Sequence, residues 1–444
     1  MKQIERAPKW INEQLNKEVH KLRLNDEFQS LVNDINEKYL YWDKAKYNAT
    51  NLVSEPKVLW AAIKLSRTIN AKKIQFGEHK FFYNLTDFIQ KELHEFDLHI
   101  GGHLGTRNLI PEDDKKRYLV SSIMEEAIAS SQIEGAVTTR KQAKEMLRKN
   151  IKPKNKSEQM ILNNYITIKH IVEIKDEPIT TERFLEIHRL ISSQTLPDTK
   201  YEGKYRKDNE IKVIDVVNGN IVHSPPDYRE ISKLLNDVFI FFNNDKNDQF
   251  IHPIIKGCII HFMIGFIHPF VDGNGRTARA LFYWYLLKNG YWLTEYLSIS
   301  RLIVKSKAQY ARAYQYTEMD DNDLTYFINY KIKTMEMAFD SLREYIQLKI
   351  NEKRKGINFQ RIKGINTRQA EIIKWIFEEP NLMFSVKEIE NRLTISNQTA
   401  RTDLTELVNR GYLEIINLNN KTKGFCRTEN FENILKKELP KKII

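Results

Sequence analysis

Glycine and proline are scarce in this chain, and their scarcity is the strongest constraint on its fold. The 444 residues include only 16 glycines and 12 prolines, too few for the many tight turns of an all-β protein. Hydrophobic residues make up 41% of the chain and charged residues 29%, a balance that permits packed cores and disfavours disorder. We therefore expect a mainly α-helical protein.

The net charge and the cysteines indicate which partners and which cellular compartment to expect. A formal net charge of +12 favours partners that bear phosphate, either nucleotides or nucleic acid. The two cysteines, Cys258 and Cys426, form neither a disulfide framework nor a metal-binding pair. The polar N-terminus does not resemble a signal peptide, and the most apolar run, residues 258–267, is too short to span a membrane. We therefore expect a cytoplasmic protein with no membrane contact.

Apolar residues recur at helical spacing along most of the chain, and breaks in that pattern suggest its domain organisation. We divide the chain into an N-terminal helical region, a core, a basic linker and a C-terminal domain, at residues 1–110, 111–350, 351–364 and 365–444. Residues 211–226 depart from the helical pattern, because they combine β-branched runs with the turn dipeptide Asn218-Gly219. This combination predicts a β-hairpin.

The most informative stretch is HPFVDGNGRTAR, at residues 268–279. Pro269 disfavours helical backbone at the preceding residue, so His268 is expected at the end of a helix. Gly273 and Gly275 permit a tight loop whose amides can approach an anion. The N-terminus of the helix that follows suits a phosphate, because its N–H groups are free and its dipole is positive.

Other side chains of this stretch also suit phosphate chemistry. Arg276 and Arg279 share a helical face and can hold successive phosphates. Asp272 is an oxygen ligand of the kind that Mg²⁺ prefers, and His268 can act as a general base. Each feature alone is more often structural, since a histidine at a helix end usually caps or packs. Their combination is what points to a nucleotide.

These twelve residues resemble the H-x-F-x-D/E-G-N-G-R-x-x-R motif of Fic-domain proteins at every fixed position. The resemblance implies a Fic-type helical core that transfers AMP from ATP, its co-substrate, to a Ser, Thr or Tyr hydroxyl of a target protein. It makes His268 the catalytic base and Asp272 the ligand of Mg²⁺ between the α- and β-phosphates. It assigns the ATP phosphates to Gly273, Asn274, Gly275, Arg276 and Arg279.

Two further segments resemble parts of the same family. The predicted hairpin lies where Fic proteins carry a flap, whose edge pairs with a segment of the target protein by strand addition. Its candidate residues are Ile221, Val222, His223 and Ser224. Tyr310 stands where relatives place an aromatic residue beside the adenine. A second, adjacent tyrosine is missing here, and a role for Tyr310 in the core stays open.

Upstream, residues 130–135 read SSQIEG and resemble the S/T-x-x-x-E-G/N inhibitory motif of Fic proteins. Helical periodicity over residues 120–136 places Ser130 and Glu134 on one face, and Gly135 is a typical helix stop. The resemblance implies that Glu134 pairs with Arg279 and takes the guanidinium that the γ-phosphate needs. On its own, the same short pattern is also typical of a surface glutamate before a helix-ending glycine.

The C-terminal domain has the pattern of a winged helix-turn-helix, with three amphipathic helices followed by two strands. The exposed face of its third helix carries polar residues suited to DNA contacts: Asn397, Gln398, Arg401 and Thr402. Asp403 and Glu406 reduce the positive charge of that helix. The pattern therefore leaves open whether the domain binds DNA or another protein.

The leading interpretation is an autoinhibited protein adenylyltransferase with a winged-helix domain. One alternative is a DNA-binding regulator whose Fic core senses a nucleotide. Another is a Fic enzyme that uses a different phosphate-containing donor. The sequence names no target protein and leaves open whether the chain forms a homodimer.

Overall fold

The computed structural model describes residues 4–49, 51–53, 55–101, 112–215, 219–244, 250–356, 359–380, 382–419 and 422–438. The chain divides into two compact units, residues 1–342 and 343–444. The mainly α-helical fold class is confirmed in both. The proposed boundary between residues 110 and 111 lies outside the described residues and stays a prediction.

The first unit consists mostly of helices. They are α1 (Glu13–Leu22), α2 (Asp26–Lys38), α3 (Trp42–Ala45), α4 (Pro56–Asn70), α5 (Asp87–Phe96), α6 (Glu112–Ile133), α7 (Arg140–Lys149), α8 (Lys156–Glu173), α9 (Thr181–Ser192), α10 (Ile231–Asn243), α11 (Pro253–Ile267), α12 (Asn274–Lys288), α13 (Ile299–Lys305), α14 (Lys307–Met319) and α15 (Thr325–Gly356). The last of these continues past the end of the unit. Shorter helical turns occur at Lys46–Asn48, Asp97–Gly101, Thr199–Tyr201, Tyr228–Glu230 and Trp292–Tyr296.

Helices α11 and α12 form the centre of the first unit. Almost every residue of both is buried, as expected for helices that are enclosed on all sides. The turn between them carries the motif at residues 268–279. A buried helix pair therefore provides a rigid base for the candidate site.

Two small antiparallel hairpins accompany the helices of this unit. The first pairs β1 (Lys72–Phe76) with β2 (His79–Tyr83). The second pairs β3 (Val213–Ile214) with β4 (Ile221–His223), and is the hairpin predicted from the sequence. Gly219 has a φ of 70° and donates its N–H to the Asp215 carbonyl at 2.8 Å, while Asn218 lies outside the described residues.

The second unit contains a winged helix-turn-helix, as predicted. Its elements after α15 are a turn at Phe359–Arg361, then α16 (Thr367–Glu378), β5 (Met383–Phe384), α17 (Val386–Leu393), α18 (Asn397–Asn409), β6 (Leu413–Asn419), β7 (Thr422–Arg427) and α19 (Phe431–Glu438). The strands form an antiparallel sheet in the order β5-β7-β6. Asn366, Ser385 and Ser396 cap the three principal helices by accepting backbone N–H bonds.

One expectation for this domain is wrong. Asp403 does not reduce the positive charge of the exposed face of α18, because it is 1% exposed. Its carboxylate accepts hydrogen bonds from Arg368 Nε at 2.7 Å and from Asn366 Nδ2 at 2.9 Å. The aspartate therefore joins α18 to the start of α16 inside the domain.

Buried charges connect the N-terminal helices to the rest of the first unit. Lys64 of α4 is 1% exposed and donates to Asp320 Oδ1 at 2.8 Å. Arg67, one turn further on, donates to the Tyr326 hydroxyl at 2.7 Å, and its guanidinium lies 3.9 Å from the ring centre of Tyr39. These contacts make the N-terminal region part of the unit that carries the motif. Within the described ranges, no helix combines the length and hydropathy needed to cross a membrane.

Removing Lys64 should destabilise the first unit strongly, because Asp320 would lose its closest buried cation. We expect Lys64→Ala to cost about 3 kcal/mol, measured as a lower melting temperature of this unit by differential scanning calorimetry. The control is Lys17→Ala, since the pair of Lys17 with Glu13 is exposed and its loss should change stability by less than about 0.5 kcal/mol. Equal effects of the two variants would contradict a structural role for the buried pair.

Candidate active site

The motif folds into a tight turn that is closed by its own asparagine. His268 follows α11 with a φ of 48°, and Gly273 precedes α12 with a φ of 88°. The Asn274 side chain accepts the Phe270 N–H at 2.9 Å and donates to the Phe270 carbonyl at 2.8 Å. The structure thus gives Asn274 a loop-closing position, and its contact with phosphate stays a prediction.

The hydrogen bonding of His268 fixes which ring nitrogen carries the proton. Nδ1 lies 3.3 Å from the Gly265 carbonyl, which only accepts, so Nδ1 carries the hydrogen and Nε2 keeps its lone pair. Burial is the main reason why the pKa of His268 is lowered to about 4; the charges of His223 and Arg206 act in the same direction, and the Gly265 carbonyl and Glu134 act against it. At neutral pH the side chain is therefore an uncharged imidazole that can accept a proton at Nε2.

Asp272 offers an accessible carboxylate at the N-terminal end of α12. Its side chain is 44% exposed and lies 3.6 Å from Arg276 Nη2, and its Oδ1 accepts the Gly273 N–H at 2.5 Å. The described residues contain no cluster of three or more metal-ligating side chains. Mg²⁺ commonly keeps its waters and binds one or two carboxylates together with substrate phosphates. A single exposed carboxylate beside phosphate-binding groups fits that mode.

Two buried guanidinium groups face the same region. Arg276 is 0% exposed and Arg279 2% exposed. Arg276 Nη1 donates to the Ile191 carbonyl at 3.1 Å. Within the described part of the chain, Arg276 Nε and Nη2 and Arg279 Nη1 have no hydrogen-bond acceptor. Because unsatisfied buried donors are costly, this arrangement suits an anion that supplies several acceptor oxygens.

Arg279 is also bound by the segment that resembles an inhibitory motif. Its Nε donates to Ser130 Oγ at 2.8 Å, and its Nη2 donates to the Ser130 carbonyl at 2.9 Å. The same Nη2 forms an ion pair with Glu134 Oε1 at 2.9 Å. The structure therefore brings Ser130, Glu134 and Arg279 together.

The local backbone explains how Glu134 reaches the arginine. Helix α6 ends at Ile133 rather than near residue 136, because Gly135 adopts a φ of 93°. A Cβ atom at position 275 would collide with Glu134 Oε1. The glycine at position 275 thus leaves room for the carboxylate at the N-terminal end of α12.

Tyr310 lies in an aromatic group on α14. Its hydroxyl is 2.8 Å from His261 Nε2, and its ring centre is 5.3 Å from that of Tyr314. Burial raises the pKa of Tyr310, so the phenol stays protonated at neutral pH. These contacts favour a place in the core, and the contact with adenine stays a prediction.

His188 belongs to the site but was missed in the sequence. Its ring stacks on Phe270 with centres 3.5 Å apart and planes 3° apart. Nδ1 accepts the Gly203 N–H at 3.0 Å, so Nε2 must donate to the Asp272 carbonyl, 2.9 Å away. Burial lowers the pKa of His188 to about 4. The neutral ring thus supports the loop that presents Asp272.

Arg206, in the segment before the flap, contacts the other side of the motif. Its Nε donates to the His268 carbonyl at 3.0 Å, and its backbone N–H donates to the Pro269 carbonyl at 2.8 Å. Its Nη2 donates to the Pro226 carbonyl at 2.5 Å. One side chain therefore joins the end of the flap to the turn that carries His268.

Comparison with protein families identifies this part of the chain. The sequence model of the Fic/DOC family matches residues 178–286, a range that includes His188, Arg206, the flap and the whole motif. Residues 178–286 are therefore similar in sequence to Fic/DOC family domains. A second model, of the DeoR-like helix-turn-helix domain, matches residues 368–416 and covers α16 to α18 with the start of β6.

Curated relatives of the Fic domain are named protein adenylyltransferases. One from Nematostella vectensis is 34% identical over 117 residues, which are 26% of this chain and 25% of the relative. Another from Drosophila melanogaster is 28% identical over 163 residues, which are 36% of this chain and 29% of the relative. The chain thus spans less than a third of the length of these relatives.

A solved structure extends the likeness beyond the domain. The crystal structure of a Fic family protein from Desulfovibrio desulfuricans G20 aligns with 78% of this chain and 98% of its own, with a TM-score of 0.50 and 20% sequence identity. At this identity the likeness shows a shared fold.

The protonation state of His268 can be measured directly. Because burial holds its pKa at about 4, the ring should stay neutral from pH 8 down to pH 5. Histidine side-chain NMR of the full chain, with His268→Ala to assign the signal, should show a transition near pH 4. A transition above pH 6 would contradict the buried, uncharged imidazole.

Proposed function

We propose that this protein is an autoinhibited protein adenylyltransferase, which transfers AMP from ATP to a hydroxyl group of a target protein and of itself. The observation that carries the proposal is that Arg279 belongs to the motif and also contacts Glu134. Its guanidinium lies in the Fic motif and is bound by Glu134 at 2.9 Å. The names of the curated relatives support the reaction type.

The chemistry starts at His268. Its Nε2 takes the proton from a Ser, Thr or Tyr hydroxyl as the hydroxyl oxygen attacks the α-phosphorus of ATP. The bond to the β-phosphate oxygen breaks, and pyrophosphate leaves. A neutral imidazole with Nδ1 held by the Gly265 carbonyl is ready to accept that proton. The flap residues Ile221, Val222, His223 and Ser224 hold the target segment beside the base.

The rest of the motif holds the nucleotide. Arg276 and Arg279 supply donors for the β- and γ-phosphates, and the amides of Gly273 and Gly275 add to them. Asp272 would hold Mg²⁺, which would supply positive charge to offset that of the phosphates and the leaving pyrophosphate. The site therefore acts mainly by positioning and by charge stabilisation.

Glu134 opposes this binding by electrostatics. While its carboxylate is paired with Arg279, a γ-phosphate must compete for the same guanidinium and suffers repulsion from a second anion. ATP then binds weakly or with its α-phosphate out of line with the incoming hydroxyl. A Fic enzyme that uses another phosphate-containing donor would be inhibited by Glu134 in the same way. Inhibition therefore does not distinguish the donors, but the mass added to the protein does.

Removing the carboxylate should activate the protein. Glu134→Gly should increase self-modification with α-labelled ATP by roughly tenfold or more, while His268→Ala in that background should abolish it. Intact mass spectrometry should find the gain of one AMP group. The label measures incorporation, and the mass distinguishes AMP from a phosphoryl group.

The matched control is Glu145→Gly, which removes an exposed glutamate that is paired only with Lys149 within the described contacts. It should label no faster than wild type. Equal labelling of Glu134→Gly and wild type would contradict the brake. A mass gain of one phosphoryl group would contradict AMP transfer.

A second function rests on the C-terminal unit. We infer that the winged helix binds DNA, because the DeoR-like helix-turn-helix model covers its three principal helices. Arg401 Nε donates to Asn397 Oδ1 at 2.9 Å on the exposed face of α18. Gln398 and Thr402 occupy the same exposed stretch and would contact base edges or phosphates.

Arg401→Ala should therefore weaken DNA binding without unfolding the domain. In a gel-shift titration of the full chain, affinity should fall by roughly tenfold, and the wild-type complex should weaken steeply as salt increases. Thr405→Ala, one turn further along α18, serves as the control and should bind like wild type. Absence of any salt-dependent shift for wild type would favour a protein partner.

A further inference from the structure

The carboxyl end of α11 is satisfied by an unusual set of partners. A helix leaves its last four carbonyls without intrahelical donors, and the end of its dipole is negative. Here the Gly265 carbonyl faces His268 Nδ1 at 3.3 Å. The Phe266 carbonyl faces His223 Nε2 at 2.8 Å, and the His268 carbonyl accepts from Arg206 Nε at 3.0 Å. Flap and pre-flap side chains therefore cap this helix.

His223 stands between two acceptors. Its Nδ1 lies 2.8 Å from Glu318 Oε2 of α14, while its Nε2 points at the Phe266 carbonyl. A carbonyl only accepts, and the Glu318 side chain is 22% exposed, which favours the ionised carboxylate. A neutral imidazole has one N–H and can satisfy only one of the two. The contacts therefore fit the imidazolium, with a proton on each nitrogen.

Because His223 lies in the flap, its contacts determine how the flap strand is held. His223 is the last residue of β4 and pairs with Val213 of β3; it is 9% exposed. Within β4, Ile221 is 60% exposed and Val222 is half-buried, whereas His223 is buried. The buried histidine thus attaches this strand to α11 and α14.

Arg206 holds the far end of the same strand segment. It donates to the Pro226 carbonyl and, with another nitrogen, to the His268 carbonyl. The segment is therefore attached at two points near the candidate base: to the Phe266 carbonyl through His223, and to the His268 carbonyl through Arg206.

We propose that His223 is the positioning residue of the flap: as an imidazolium held between Glu318 and the Phe266 carbonyl, it fixes the target-binding edge relative to His268. The carboxylate of Glu318 stabilises the positive charge, and the other titratable or charged groups nearby are the neutral His268 and the guanidinium of Arg206. Loss of either hydrogen bond would release this edge from α11 or from α14.

This inference rests on the proposed function for its role in target binding, but its test needs no nucleotide or target. Hydrogen–deuterium exchange of a peptide spanning residues 211–226 is followed by mass spectrometry in the full chain at pH 7. In wild type, the amides of this peptide should be protected, because His223 and Arg206 hold the strand segment against the end of α11.

Two variants and a control separate positioning from general instability. His223→Gln should exchange roughly tenfold faster than wild type. Glu318→Gln, which keeps the shape of the side chain, should change exchange in the same direction by a smaller factor. His170→Gln removes a histidine near a glutamate on α9, at 3.8 Å from Glu186, and should leave the flap unchanged.

The outcomes are distinct. Exchange that is the same in wild type and His223→Gln overturns the proposal. If the flap behaves as expected but Glu134→Gly transfers no nucleotide, the proposed reaction fails while the role of His223 in holding the flap stands.

Discussion

The guanidinium of Arg279 is the group on which this account depends. It is buried within the α11–α12 pair, carries a charge that needs partners, and is bound by Ser130 and Glu134 from a different helix. A buried charge is costly unless it is paired, so the guanidinium must be paired either with the Glu134 carboxylate or with a phosphate. This competition gives one physical reason for both the proposed activity and its restraint.

The same principle governs the turn that carries His268. Three side chains hold the carbonyls at the end of α11 and in the loop that follows: Arg206, His223 and His188. Both His188 and His268 are kept neutral by burial. The positive charge at the end of α11 comes from His223 and Arg206. The three histidines near this turn therefore differ in which ring nitrogens carry hydrogen.

Features that depend on neighbours in the chain could be predicted from the sequence. The Pro269 break, the glycines at 273 and 275, the hairpin and the capped helices of the winged domain all follow local rules. The pairing of Glu134 with Arg279 came from a family resemblance. The roles of His188 and Arg206 could not be predicted, because they contact residues 84 and 62 positions away. The burial of Asp403 was mistaken for exposure, since its partner Arg368 lies on another helix.

The central claim is that Glu134 and the terminal phosphates of ATP compete for Arg279. Isothermal titration of wild type and Glu134→Gly with ATP and with AMP tests it most directly, because AMP has no β- or γ-phosphate. The account predicts that Glu134→Gly binds ATP roughly tenfold more tightly and binds AMP as wild type does. Equal gains for both nucleotides, or no gain for either, would contradict the competition.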